Sequence, residues 1–237
     1  MNYDNPFIKM LEAIANMLIV SFLWFLFSLP LVTIVAASSA LYHTTNKIIF
    51  GPGRGNGVFR DFFDSYKRNL IPGIKLSLIC IVAGLFVAEG LWTGYQIWKW
   101  NIWGMLYMML GILVSSVVIA AAVNIPPVLS RFDAPVLSII RMAVYFGMKR
   151  PVRSVINVIL FVLMLLAIES FPLAVVIVPA LYTDLIRPSL ERDLKIFIEE
   201  NGLEEIEQEI EEEKENEEEA VSMSDIDAAL SEKKKKQ

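Results

Sequence analysis

The stretch from Ile71 to Ile125, IPGIKLSLICIVAGLFVAEGLWTGYQIWKWNIWGMLYMMLGILVSSVVIAAAVNI, decides the fold. It holds two apolar runs, Ile71–Tyr95 and Ile102–Ile125, joined by the short aromatic connection Gln96-Ile97-Trp98-Lys99-Trp100-Asn101. A helix rises about 1.5 Å per residue, so each run is long enough to cross a hydrocarbon core of about 30 Å. Trp92, Tyr95, Trp98, Trp100 and Trp103 cluster at the connection, where rings that are apolar on one side and polar on the other favour a membrane–water interface. The pair reads as a membrane-spanning hairpin.

Similar hairpins are expected on either side of it. Leu11–Leu29 and Leu31–Phe50 meet at Pro30, and Val152–Phe171 and Leu173–Ile186 meet at Pro172. As one straight helix the first pair would measure about 60 Å, twice the hydrocarbon core, so a turn at the proline is the better reading. Six spans result, with both termini on one side. The sixth has an apolar core of only about 14 residues, roughly 21 Å of helix. Pro179 and Asp184 interrupt it, so it is expected to be broken or tilted. The fold class is therefore all-α, a polytopic helical bundle in a membrane. The composition agrees, with 55% apolar residues and a mean hydropathy of +0.53. The first apolar run exceeds the usual length of a signal-peptide core and reads as a retained span.

Charge gives the orientation. Of the 21 Lys and Arg residues, Lys99 alone falls at the end of the spans that carries the aromatic connection. Lys47 to Lys75, Arg131 to Arg153 and everything from Arg187 onward fall at the other end, which the positive-inside rule assigns to the cytoplasm. The net charge of −5 hides two opposed parts. Residues 1–195 hold 16 basic and 10 acidic residues, and residues 196–237 hold 5 Lys and 16 acids. The chain thus reads as a membrane domain over 1–195 and an acidic tail over 196–237. Thirteen Glu between 199 and 219 repel one another and cannot bury a core, so disorder is expected there. The closing Lys233–Lys236 run suits anionic headgroups or the Glu block itself.

Two connections carry helices of their own. After the glycine-dense turn Gly51–Gly57, Phe59, Phe62, Phe63, Tyr66 and Leu70 recur at helical spacing, with Arg60, Asp61, Asp64, Lys67 and Arg68 between them. This is an amphipathic helix over Val58–Leu70, lying in the interface or against the bundle. A second amphipathic stretch, Ala134–Met148, follows Ile125-Pro-Pro. Each helix ends in a Lys-Arg pair, Lys67-Arg68 and Lys149-Arg150. A further echo joins Ser28-Leu-Pro-Leu to Ser170-Phe-Pro-Leu, as internal repeats do in many transporters.

The sequence offers no catalytic constellation. It has one His, His43, and one Cys, Cys80. No zinc-protease spacing, phosphate-binding glycine loop or nucleophile elbow occurs, so no cofactor, metal or nucleic-acid partner is expected and the chain is read as a non-enzyme. Ionisable residues inside spans are functional candidates, which singles out Glu89, Glu169 and Asp184. Asn16, Asn124 and Asn157 are expected to bond between helices.

Several of these residues carry a resemblance. Leu23-Trp24, Ser28-Leu-Pro-Leu-Val-Thr-Ile34, Ser39-Ala-Leu-Tyr42, Phe59-Arg-Asp-Phe-Phe-Asp-Ser-Tyr-Lys-Arg-Asn69, Leu129-Ser-Arg-Phe-Asp133 and Pro179-Ala-Leu181 together resemble the YesL-like family of bacterial integral membrane proteins, a domain of unknown function. The resemblance covers about residues 5–195, without the tail. Members of that family are often encoded beside ABC-type sugar importers and polysaccharide-degrading enzymes in Gram-positive bacteria. It therefore implies an accessory or regulatory role in carbohydrate uptake at the plasma membrane, and no catalytic residues. On that expectation Phe62, Phe63, Lys67, Arg68 and Asn69 are the candidate contacts for an importer subunit. The alternative is a small-solute transporter or channel, with Glu89, Glu169 and Asp184 along its path.

Overall fold

The computed structural model describes residues 6–49, 57–98 and 102–201 of the 237. Most of the glycine-dense turn (51–56), the middle of the aromatic connection (99–101) and the tail from 202 lie outside the described residues. Among the described residues every regular element is helical and none is a strand. The chain divides into two compact units between Ser189 and Leu190, and the first is described below.

Helix α1 (Pro6–Ser28) is closed by Pro30, which disfavours helical backbone at the residue before it. The chain reverses through a 3-10 turn, Leu31–Thr33, and the Thr33 hydroxyl donates to Phe27 O at 2.7 Å, with Pro30 O at 2.8 Å. One of the carbonyls that α1 leaves without an intrahelical partner is thus satisfied. Helix α2 (Ile34–Thr44) follows and passes into one π-helical segment, Thr45–Ile49. Its small residues Ala36, Ala37, Ser39 and Ala40 are buried, so neighbouring helices approach closely. Gly57, at φ +108°, admits the chain to α3 (Val58–Arg68) through a conformation that only glycine adopts without strain.

Helices α4 (Leu70–Ile97) and α5 (Ile102–Arg131) form the hairpin read from the sequence. Gly94 and Gly104 make it tight. A Cβ on Gly94 would lie 2.9 Å from Met108 Sδ, and one on Gly104 would collide with the Ile97 carbonyl. Helix α5 does not stop at Ile125 as expected, but runs through Pro126 and Pro127 to Arg131. Each proline removes one bond from the helix ladder, and burial of Ala120, Val123, Ile125, Pro127, Val128 and Leu129 offsets that loss. Helix α6 (Val136–Lys149) then folds back along α5, with Gly147 against Ala120 and Asn124. Helix α7 (Pro151–Ser170) ends at a second proline turn, Pro172–Val176, from which α8 (Val178–Asn201) begins.

Both proline turns were legible, and the echo between them has a structural counterpart. Each is a helix, a proline, a 3-10 turn and a new helix whose first turn is capped from elsewhere in the chain. Val35 N donates to Ser77 Oγ at 3.1 Å, and Ala180 N donates to Ser21 Oγ at 3.1 Å. The first backbone N–H groups of a helix have no internal partner, and here serines supply one.

Among the described residues four helices are long and apolar enough to cross a membrane: α1 from Leu11, α4, α5 and α7. The structure thus presents four such helices where six were expected. Helix α2 with its π segment spans 16 residues, and α8 carries charge along its length from Asp184 onward. In α4, α5 and α7 only 17% of the apolar window is buried inside the fold, and Leu85, Phe86, Leu113 and Leu163 are exposed. Large apolar side chains displayed over such an area need an apolar solvent, which a bilayer provides.

Candidate functional site

The polar chemistry collects where α2 meets α3 and α4. Four pairs run in opposite directions along the two strands of chain. Lys47 Nζ lies 3.5 Å from Asp61 Oδ1, Asn69 Nδ2 donates to Ser39 Oγ at 3.2 Å, Gly73 abuts Ala36, and Ser77 caps Val35. Helices α3 and α4, broken only at Asn69, therefore act as one kinked partner lying antiparallel to α2. The amphipathic face of α3 packs into the bundle, the second of the two settings expected for it. Phe62 is fully buried beside Val20, Leu23, Trp24 and Leu41. Phe27 sits among Phe62, Phe63 and Tyr66 at centroid distances of 5.9, 5.1 and 4.9 Å.

The same ladder fixes relative depth. Helix α2 begins level with Ser77, yet α4 continues for about twenty residues beyond it, roughly 30 Å of helix. The distal part of the α4–α5 hairpin is thus an arm that extends past the Pro30 turn. The sequence reading put that turn and the aromatic connection on one face. Along α4 the turn lies near the level of Ser77 and the connection about twenty residues farther on, an offset set by contacts between helices that no single run reveals.

At the root of the arm lies a cleft of about 270 Å³, where the α3–α4 corner faces the α5–α6 corner. Asn69 and Pro72 line it from one side, and Leu129, Phe132, Asp133, Ala134 and Pro135 from the other. Asn69 is 1% exposed, and its amide nitrogen is engaged by Ser39 and by Ser65 Oγ at 3.5 Å. Asp133 is exposed, on the non-helical link between α5 and α6. The sequence reading quoted residues of both corners for the resemblance, but it did not join them across sixty positions.

The candidate contacts separate by burial. Lys67 and Arg68 are exposed on α3, Phe63 is half-buried, and Phe62 and Asn69 are inside the fold. A partner reaching α3 meets Phe59, Asp64, Lys67 and Arg68 instead, while Phe62 and Asn69 hold the helix in place. Of the intramembrane carboxylates, Glu89 is exposed on the arm and accepts from Thr93 Oγ1 at 3.3 Å. Glu169 is exposed near the end of α7, and Asp184 is half-buried on α8. Asn124 bonds within its own helix, to Ala120 O at 2.8 Å, and not across helices as expected. Among the described residues no group of three or more His, Cys, Asp or Glu side chains is placed to hold a metal ion.

Fold and site together define an all-helical chain with several membrane-length apolar helices and a small polar cleft at the charged root of one hairpin. Residues 17–90, from α1 into α4, match the family described as "Protein of unknown function, DUF624". The match takes in the Ser28–Ile34 and Phe59–Asn69 motifs, whereas Leu129–Asp133 and Pro179–Leu181 lie beyond it. No curated protein and no solved structure matches the chain.

Proposed function

We propose that this is a multi-pass plasma-membrane protein of the YesL-like kind, with N- and C-termini in the cytoplasm, which serves as a non-enzymatic accessory of a bacterial ABC-type carbohydrate importer. The α4–α5 arm crosses the bilayer, and the end bearing Lys67, Arg68 and Arg131 faces the cytoplasm, as the positive-inside rule requires. The observation that carries the accessory reading over the transporter is where the carboxylates lie. Glu89 and Glu169 are exposed on the outer surfaces of their helices, whereas a solute path needs them turned into the bundle. The two helices that follow the proline turns, α2 and α8, each also have one first-turn N–H capped, Val35 by Ser77 and Ala180 by Ser21. Transporters of broken-helix design leave such groups open to substrate.

Affinity purification from native membranes, followed by mass spectrometry, tests this reading. Importer subunits should be enriched with the intact chain and depleted with Lys67→Glu/Arg68→Glu. Their absence from both preparations would refute it.

A further inference from the structure

We infer that the outward face of the α3–α4 corner binds one anionic phospholipid, its phosphate held by Lys67, Arg68 and Lys75 and an acyl chain laid along Ile71, Ile74 and Leu78. The inference goes beyond the accessory role and rests only on the membrane placement proposed above.

The six residues recur at helical spacing, at 67, 71, 74 and 78 with 68 and 75 beside them, and α3 and α4 are interrupted only at Asn69. Residues three, four and seven apart share one face of a helix. The opposite face, with Asn69, Gly73 and Ser77, is buried against α2. Ile71, Ile74 and Leu78 are 68, 37 and 56% exposed, and Lys67, Arg68 and Lys75 are exposed beside them. Among the described residues none of the three cations is in an ion pair, although the Asp64 carboxylate lies one turn before Lys67 and Arg68.

Charge complementarity and the order of residues along this face point to the occupant. Three cations without a carboxylate partner attract a phosphodiester, and near a membrane surface each contributes about fivefold to affinity. The cations interleave with Ile71 and Ile74 and then give way to Leu78, Val82 and Leu85, all exposed. Lysine and arginine stems lie on apolar surface while their charged heads reach polar groups. An acidic protein segment would neutralise the cations and leave the apolar stripe uncovered, whereas a lipid satisfies both. Lys149 leans toward the same end. Gly147 packs on Ala120 and Asn124 of α5, which sets the Lys149 backbone farther up the arm, yet its ammonium bends back over Tyr145, 5.2 Å from the ring centroid. Long basic side chains lean in this way where their backbone enters an apolar layer.

The test uses the full-length chain, purified in an uncharged detergent and stripped of lipid. Phosphatidylglycerol and phosphatidylcholine with the same acyl chains are titrated in competition, and native mass spectrometry counts the molecules retained. One phosphatidylglycerol should be held about tenfold more tightly than phosphatidylcholine, or better. Lys67→Gln/Arg68→Gln/Lys75→Gln should remove the preference at unchanged melting temperature, since the three side chains are exposed. Arg141→Gln, which removes an exposed cation on α6, should keep it. Equal retention of the two lipids, a preference that survives the triple variant, or an equal loss in Arg141→Gln overturns the inference. Absence of preference together with saturable binding of a free peptide of residues 203–219 overturns it in favour of an acidic protein segment. The two readings fail separately. Importer co-purification without a lipid preference removes the lipid site and keeps the partner, whereas a lipid preference without co-purification does the reverse.

Discussion

A single methyl group at position 73 should loosen the whole contact between α2 and α4. A Cβ built on Gly73 lies 2.7 Å from Ala36 Cβ, 2.9 Å from Ala36 Cα and 2.9 Å from Ala36 N. Two of those three atoms are backbone and cannot rotate away, so Gly73→Ala must push the helices apart. Overpacking of this kind costs about 1–3 kcal/mol. Separation also lengthens the flanking bonds from Val35 N to Ser77 Oγ and from Asn69 Nδ2 to Ser39 Oγ, each contributing about 1 kcal/mol. Against this stands the better helix propensity of alanine, worth about 0.8–1.0 kcal/mol. The net loss is about 2–4 kcal/mol, or roughly 4–16 °C in melting temperature for a chain of this size. Thermal unfolding in detergent, followed by size-exclusion chromatography, measures it. Gly84→Ala is the control, since nothing lies within 4 Å of a Cβ there and the melting temperature should hold or rise slightly. Adding Ala36→Gly to Gly73→Ala removes the 2.7 Å contact and leaves the backbone ones, so it should restore only part of the loss. Equal melting temperatures for Gly73→Ala and Gly84→Ala would refute the close approach.

Other outcomes follow from the same geometry. Because the Pro30 turn is level with Ser77, a membrane-impermeant thiol reagent applied outside intact cells should label Trp103→Cys and spare Leu31→Cys, both in a Cys80→Ser background; equal labelling would put both turns on one face. Ser77→Ala leaves Val35 N–H buried without its cap and should cost about 1–3 kcal/mol by the same melting assay. Lys47→Gln removes one partner of a carboxylate, Asp61, that is only 5% exposed. Lys47 itself is 27% exposed, so solvent screening reduces the loss from the several kcal/mol of a fully buried pair to about 1–2 kcal/mol. An unchanged melting point for either variant would contradict these assignments.

The elements that the sequence revealed are those defined within one run of chain. The apolar lengths of Leu11–Leu29, Ile71–Tyr95, Ile102–Ile125 and Val152–Phe171 correspond to helices α1, α4, α5 and α7, and Pro30 and Pro172 mark the reversals. Relations between runs were not legible. The spacing of Phe59, Phe62, Phe63 and Tyr66 shows that α3 has an apolar face but not which surface covers it. That surface proved to be Phe27 and the α1–α2 core, which buries Phe62. For the same reason Asn69, at the end of a charged helix, read as a contact for a partner. Its burial depends on Ser39, thirty residues earlier. Pro126-Pro127 read as a helix end because the packing that carries α5 through them comes from other helices. The cleft escaped notice because neither corner alone encloses a volume.

The central claim is that the chain assists transport without transporting. Sugar flux into proteoliposomes containing the purified chain alone, the importer alone, and both together tests it most directly. The account predicts no saturable flux through the chain alone and an altered importer flux when the two are combined. Saturable flux through the chain alone, abolished by Glu89→Gln with Glu169→Gln, would contradict it.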